Sequence, residues 1–357
     1  MSTEGEIRLA LPGKGALEAA TLSFLAECGM KVNRNNPRQY LARIRNMPEL
    51  EVVFQRAVDI PSLVQDGDAA LGITGYDILA EHRGYGDAEE DEEEDDDELM
   101  ILARDLGYGN CRLVIAVPET WIDVSTCADL WHLAGYYQEH KGRGLRIATK
   151  YPILTGQFLR RHGITHCKII SPHGALEAAP LTDTADLIVD LTETGTTLRE
   201  NRLKLLEDGV VLHSQACLIA NTRLLRENKQ ALRVASTMLE LIDARMQARD
   251  RSVLTAYIQS GSVEAMQRIC NQLKPFLSGV EFRLSGTDGS EASNGLSNMY
   301  TISGVIKVGG TGGDLLETVA VLRGAGAINI NVIPLTYRFS SESQSVRALQ
   351  ERLKRLH

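Results

Sequence analysis

An α/β architecture follows from three features of the 357-residue chain. Strand-like and helix-like segments alternate up to about residue 220, the pattern of mainly parallel sheets with crossover helices. A long polar-faced helical segment then fills 226–250. After it the order becomes strand, helix, strand, strand, helix, strand, which is the ferredoxin-like βαββαβ unit. The length itself exceeds what one compact core usually holds, so several domains are expected.

Taken in order, the predicted strands of the first region are 7–11, 50–54, 69–74, 111–117, 146–149, 167–170, 187–191 and 210–213. Helical patterns lie between them at 17–28, 59–65 and 153–161. Pro118, closing the apolar run CRLVIAVP, marks an expected crossing into a second lobe, and HSQACLIAN marks the return. The expected division is therefore lobe I at 1–118 and 212–225, lobe II at 119–211, a linker helix at 226–250, a ferredoxin-like domain at 251–340 and a tail at 341–357. Two lobes joined by a double crossing form a hinged cleft, a common place for a ligand. In the last domain the expected strands are 253–259, 280–284, 300–308 and 328–335, with helices at 262–276 and 314–324. A Gly/Ser/Asn-rich loop, 285–298, separates the middle strands, and the tail carries at most a short basic helix.

The net charge of −9 belongs to one insert. Positions 87–98, DAEEDEEEDDDE, hold eleven acids; without them 36 acids face 38 Lys plus Arg. Such a block repels itself and reads as a solvated surface loop. The remainder has no basic stripe with interleaved aromatics, which argues against nucleic acid as a partner. No apolar run of membrane-spanning length occurs, and the acidic start MSTEGE does not read as an export signal. Six scattered cysteines without a CxxC pair are expected to be reduced thiols of a cytoplasmic protein.

The densest chemistry lies in ADLIVDLTETGTTLRENRLKLL, 185–206, where a strand ends on Asp190 and hands over to a helix through Thr192, Thr194, Gly195, Thr196 and Thr197. A strand, a Gly-containing loop and a helix start present amides and hydroxyls to a phosphate, and Asp190 would then face sugar hydroxyls or a metal. The other reading is that the threonines cap the helix. LPGKG (11–15) is a second loop of this kind, with Lys14 either meeting an anion or solvated on a turn. LGITGYD (71–77) is another strand end, with two glycines and Asp77. Arg56 is a phosphate clamp or a surface cation, Glu177 a supporting acid or a helix cap, and His173 a titratable group or a packing or surface residue. No Ser/His/Asp or Cys/His set declares a covalent nucleophile.

With Asp186, Asp190 and the TGTT loop together, EAAPLTDTADLIVDLTETGTTLRENRLKLL resembles the signature of the ATP phosphoribosyltransferases. RLALPGKGALEAATLSFLAECGMKV, AVDIPSLVQDGDAALGITGYDIL, LGYGNCRLVIAVPE, RIATKYPILTGQFL and VLHSQACLIAN resemble further blocks of that family, in register from 7 to about 222. The resemblance implies a catalytic region like a type II periplasmic binding protein. It also implies Mg²⁺-dependent displacement of pyrophosphate from phosphoribosyl pyrophosphate (PRPP) by N1 of the adenine of ATP, the first step of histidine biosynthesis. By position it gives Asp190, Thr192, Thr194, Gly195, Thr196, Thr197 and Leu198 to PRPP, and Arg56, Gly75, Asp77, Arg112 and Glu177 to ATP. It gives catalysis to Asp190, Asp186 and Lys14, with Asp186 and Asp190 near the metal. GDLLETVAVLRGAGAINI resembles the regulatory domain of the family's long form, which implies inhibition by histidine, homodimers assembling into hexamers and no separate regulatory subunit.

Overall fold

A computed structural model describes residues 7–34, 36, 38–84, 98–171, 175–260, 262–284, 298–308 and 313–355. Residues 87–97 of the acidic insert, His173 and the loop 285–297 lie outside the described residues. The chain forms two compact units, 1–239 with 345–357, and 240–344.

The first unit begins with β1 (Ile7–Pro12), α1 (Ala16–Glu27), β2 (Val32–Asn33), β3 (Leu41–Ile44), β4 (Met47–Gln55), α2 (Ile60–Gln65), β5 (Leu71–Gly75), α3 (Tyr76–Arg83) and β6 (Leu99–Ala103). It continues with β7 (Cys111–Pro118), α4 (Cys127–Lys141), β8 (Leu145–Thr149), α5 (Pro152–Arg161), β9 (Cys167–Ile170), β10 (Leu187–Thr192), α6 (Thr196–Glu200) and β11 (Leu203–Ser214). β12 (Ala216–Asn221), α7 (Thr222–Glu227) and α8 (Lys229–Ala248) follow. The second unit holds β13 (Arg251–Ser260), α9 (Val263–Leu273), β14 (Leu277–Leu284), β15 (Asn298–Lys307), α10 (Gly313–Gly324) and β16 (Ala327–Pro334); α11 (Gln344–Arg355) closes the chain.

Two sheets organise the first unit, ordered β2-β3-β4-β1-β5-β12-β6 and β11-β7-β10-β8-β9. Their cores share one plan. In each, two parallel strands flank a first strand, and then an antiparallel strand arriving from the other lobe inserts before the last one. That repeated order, with two crossings, is the type II binding-protein plan that the sequence resemblance implied. The strands that occupy the sheet centres are buried on both sides, which explains their near-continuous apolar runs; all six residues of β12 are buried.

The crossings differ from the expected ones. β7 belongs to the second sheet, where it pairs with both β10 and β11, so the chain changes lobe in 104–110 and returns at Gln215. The apolar run CRLVIAVP suits the centre of either sheet, so the pattern could not say which one it joins. β2, β3, β6 and β12 are not among the expected strands either. β2 and β3 are short, and β6 follows directly on the acidic run.

The sheet of the second unit is antiparallel in the order β14-β15-β13-β16, the ferredoxin-like order. Alternate residues of β13 and β15 (Leu254, Ala256, Ile258, Tyr300, Ile302 and Ile306) bury against Met266, Cys270 and Leu273 of α9 and Leu322 of α10. The polar tail is a full twelve-residue helix, α11, with Leu349 and Leu353 buried and Arg352 Nη1 donating to the Ile101 carbonyl at 2.6 Å. Amphipathic spacing is enough to make such a segment helical once it has a surface to cover.

Candidate active site

The second sheet delivers its polar groups at the carboxyl ends of β8 and β10. In β10, Leu187 and Val189 enter the core beneath α4 and α5. Ile188 enters the core on the opposite face, with Leu176 and Leu198. The two-residue period of a strand therefore places Asp190 and Thr192 on the Ile188 face. Arg112 of β7 lies opposite Thr192 in the antiparallel register, and Asp190 lies opposite Val114. Arg112 and Asp190 are thus diagonal neighbours on one face, within reach for long side chains. Glu177 sits on a single 3-10 turn, Leu176–Ala178, that packs onto this face. Burial raises the Asp190 carboxyl above the ordinary carboxylate range and Glu177 adds to the rise; the Leu191 amide, donating to Oδ1 at 2.9 Å, and Lys150 oppose it.

After β10 the chain turns through a compact loop. The Gly195 amide donates to Thr192 Oγ1 at 2.8 Å, and Gly195 has φ 77°, a left-handed conformation that favours glycine. The hydroxyls of Thr194 and Thr196 lie 2.9 Å apart, and Thr194, Thr196 and Thr197 are exposed. The first-turn amides of α6 have no intrahelical acceptor. With five residues α6 has little macrodipole, so any anion here depends on amides and hydroxyls directly.

The first lobe places cations at the corresponding ends of β1 and β4. Lys14 and Arg56 line one pocket of about 700 Å³ with Gly13, Arg34, Arg38, Tyr40, Phe54 and Gln55. The Gly13 amide donates to the Gln55 carbonyl at 2.7 Å, which fixes the Lys14 turn against β4. Arg56 is held by Asp59 through contacts of 2.7 and 3.2 Å, and Lys14 is exposed with no ion-pair partner among the described residues. A ligand crevice outside the carboxyl ends of strands, where β1 sends the chain to β4 on one side and β5 on the other, is the general rule for parallel sheets.

Between the lobes, Asp77 is buried. Tyr151 Oη donates to its Oδ2 at 2.6 Å and Ser214 Oγ donates to its Oδ1 at 2.6 Å. A Cβ at Gly75 would sit 2.4 Å from Asp77 Oδ1, so only glycine leaves room for this carboxylate. Burial and the nearby charges of Asp77 and Asp190 raise the Tyr151 hydroxyl well above its ordinary value, so it stays a donor. One turn on, Glu81 of α3 accepts from the Ile153 and Leu154 amides at 2.8 and 2.9 Å, and Gln157 donates to the Gly84 carbonyl. A side chain of one lobe therefore caps a helix of the other. Glu81→Ala removes both acceptors and is expected to lower unfolding stability by about 1 kcal/mol, the usual cost of a lost cap, measured by denaturant titration.

The family model described as ATP phosphoribosyltransferase matches residues 56–244. ATP phosphoribosyltransferase 1, chloroplastic, of Arabidopsis thaliana is 38% identical over 340 residues, covering 95% of this chain and 79% of its own length. This chain belongs to the ATP phosphoribosyltransferase family. These enzymes are pentosyltransferases of the first step of histidine biosynthesis. The ATP phosphoribosyltransferase of Brucella anthropi is 42% identical over 232 residues, which span 96% of that protein and 64% of this chain. An ATP phosphoribosyl transferase complex from Thermotoga maritima covers 66% of this chain at 26% identity with a TM-score of 0.47. Among the described residues no helix is long and apolar enough to cross a membrane.

Against the residues expected of an ATP phosphoribosyltransferase, the structure gathers Asp190, Thr192, Arg112, Glu177 and the 194–198 loop on one face of the second sheet. Lys14 and Arg56 share the first-lobe pocket. Two expectations are corrected. Asp186 sits at the opposite end of β10 from Asp190, about 13 Å along the strand at 3.3 Å per residue, too far for one ion to join both. Its carboxylate is occupied by Arg143 (2.5 and 2.9 Å) and by Arg146 (2.7 Å from the amide, 3.0 Å from Nη2), so it braces β8 and the approach to it. Asp77 and Gly75 form the interlobe contact, with the carboxylate buried and each of its oxygens accepting a hydroxyl, rather than an open ATP ligand. Sequence reasoning missed Lys150 and Tyr151 within RIATKYPILTG; the available signal was a cation and a phenol directly at a strand end.

Proposed function

We propose that this chain condenses ATP with PRPP, giving N1-(5-phosphoribosyl)-ATP and pyrophosphate, with the chemistry divided between the lobes. The loop 194–198 receives the 5′-phosphate on its amides and hydroxyls. Asp190 faces the ribose. Lys14, Arg56 and the neighbouring Arg38 receive polyphosphate charge, and Arg112 and Lys150 add cations beside Asp190. The observation that carries this reading is the pairing of a half-buried carboxylate with an adjacent hydroxyl-rich loop on one strand.

The physical reason for that pairing lies in the reaction. As pyrophosphate leaves, positive charge grows at the sugar, and a carboxylate poorly solvated in the free protein gains most from it. Adenine N1 already carries a lone pair, so the lobes need to position it rather than deprotonate it. A metal ion fits the donor set: Mg²⁺ favours oxygen ligands from one or two carboxylates plus substrate phosphates, and Asp190 with Glu177 beside it offers those. It would neutralise the departing pyrophosphate. The ferredoxin-like unit is the proposed receiver of histidine as an inhibitor, and of the contacts that build a homodimer or homohexamer. Six free thiols suit a reducing compartment such as the cytoplasm.

The test is an assay of ATP plus PRPP with Mg²⁺, following the absorbance of the ring-substituted product with and without histidine. Thr197→Ala is expected to raise the KM for PRPP about fivefold to twentyfold, as for one lost hydrogen bond to a charged group, with ATP affinity little changed. Equal loss on both substrates, or none, would remove the loop from its assigned role.

A further inference from the structure

On the face of the second sheet opposite Asp190, three side chains far apart in sequence converge: Cys127 at the start of α4, His162 just after α5 and Asp208 in the irregular part of β11. One ligand atom from each lies within 4.8 Å of the others. We propose that they bind a zinc-class divalent cation through Cys127 Sγ, His162 Nε2 and an Asp208 carboxylate oxygen, with water as the fourth ligand.

His162 and Asp208 each spend one polar atom on the fold and keep another for the shared point. His162 Nδ1 lies 3.1 Å from the Phe158 carbonyl oxygen, which can only accept, so Nδ1 carries the proton and Nε2 keeps the lone pair. That is the arrangement a metal-bound imidazole requires. The ring is further oriented by stacking on Phe158, with centroids 4.2 Å apart. Asp208 Oδ1 accepts from the Cys127 amide at 2.7 Å, which holds the carboxylate beside the sulfur and leaves Oδ2 available. The thiol donates to the Asp208 carbonyl at 3.6 Å and also meets the Asp208 side chain.

A tetrahedral zinc site places ligand atoms ~3.5 Å apart, so a contraction of roughly 1 Å is needed. His162 and Asp208 are exposed and can supply it, while Cys127 is buried and fixed. Thiolate, imidazole and carboxylate together select a borderline-soft ion over Mg²⁺ or Ca²⁺. On binding, the S–H bond breaks, a sulfur–metal bond forms and the proton passes to solvent. The ion would then tie α4, α5 and β11 together.

The test uses the reduced full-length chain with Co²⁺ as a spectroscopic probe and Zn²⁺ as competitor. Expected is one Co²⁺ per chain with a thiolate-to-cobalt charge-transfer band, bleached by one equivalent of Zn²⁺ and absent in Cys127→Ser. Because a buried cysteine can matter for folding, His162→Gln at the exposed position is the second variant; it is expected to keep the wild-type unfolding midpoint and weaken Co²⁺ binding about tenfold or more. A band that persists in Cys127→Ser, unchanged affinity in His162→Gln, or no thiolate band in the wild type would overturn the site.

Discussion

Asp190→Asn is expected to lower kcat by about a hundredfold to a thousandfold, the scale of removing one well-placed electrostatic group, while the protein stays folded. The replacement keeps size and shape and removes only the charge. That charge is unfavourable in the free protein, because burial raises the carboxyl above its ordinary range. For a group whose folded pKa is raised, the stabilising contribution is complete below the unfolded value and is lost as pH rises through the folded one. At neutral pH the ionised Asp190 therefore weakens the native state, and Asn is expected to leave the unfolding midpoint unchanged or higher. The pH profile carries the same sign. In the proposed reaction the ionised carboxylate is the active form, so kcat/KM is expected to rise with pH along a limb displaced above the normal carboxylate range. That limb should vanish in Asp190→Asn. Initial rates from acid to neutral pH, beside denaturation curves, measure both; a variant within a few-fold of wild-type kcat would remove Asp190 from the chemistry.

Asp186→Ala, four residues earlier on the same strand, is expected to do the reverse. Its carboxylate bonds both guanidiniums and one backbone amide. Removing one partner of a buried ion pair costs about 3–5 kcal/mol. The Arg143 and Arg146 side chains are 37% and 26% exposed, so water recovers part of that loss and ~2–3 kcal/mol is expected. Burial alone would raise the Asp186 carboxyl, but the hydrogen bonds from Arg143 and Arg146 outweigh it and hold it well below the usual range. The sign is then opposite to that of Asp190. The contribution is present above the unfolded pKa and is lost as pH falls through the folded one. Urea denaturation of wild type and Asp186→Ala at neutral and acid pH should show a gap that narrows in acid, with kcat of the folded variant close to wild type. A stable Asp186→Ala protein with kcat reduced a hundredfold would restore Asp186 to the active site.

These two acids also mark where sequence reasoning succeeded and where it stopped. The apolar run before Asp190 and the threonines with Gly195 after it state a strand, a turn and an open row of donors, because each is a local preference of the backbone. Asp186 and Asp190 have the same parity on that strand, and both read as candidates. What separates them is Arg143 and Arg146, 43 and 40 positions from Asp186, brought to one end of β10 by the pairing of β8. Asp77 reads as an open strand-end acid until Tyr151 and Ser214 arrive from 74 and 137 positions away. The Cys127, His162 and Asp208 cluster was invisible for the same reason.

Short-range rules were thus sufficient for the α/β class, the βαββαβ order and the donor loop, since strand period, helix period and glycine backbone freedom act within a few residues. Sheet membership of β7, the end of a strand that meets the cleft and the partners that neutralise an acid all required the folded chain. They depend on contacts between distant segments, and the energy of a buried charge is set by the neighbours it finds rather than by the residues beside it in sequence.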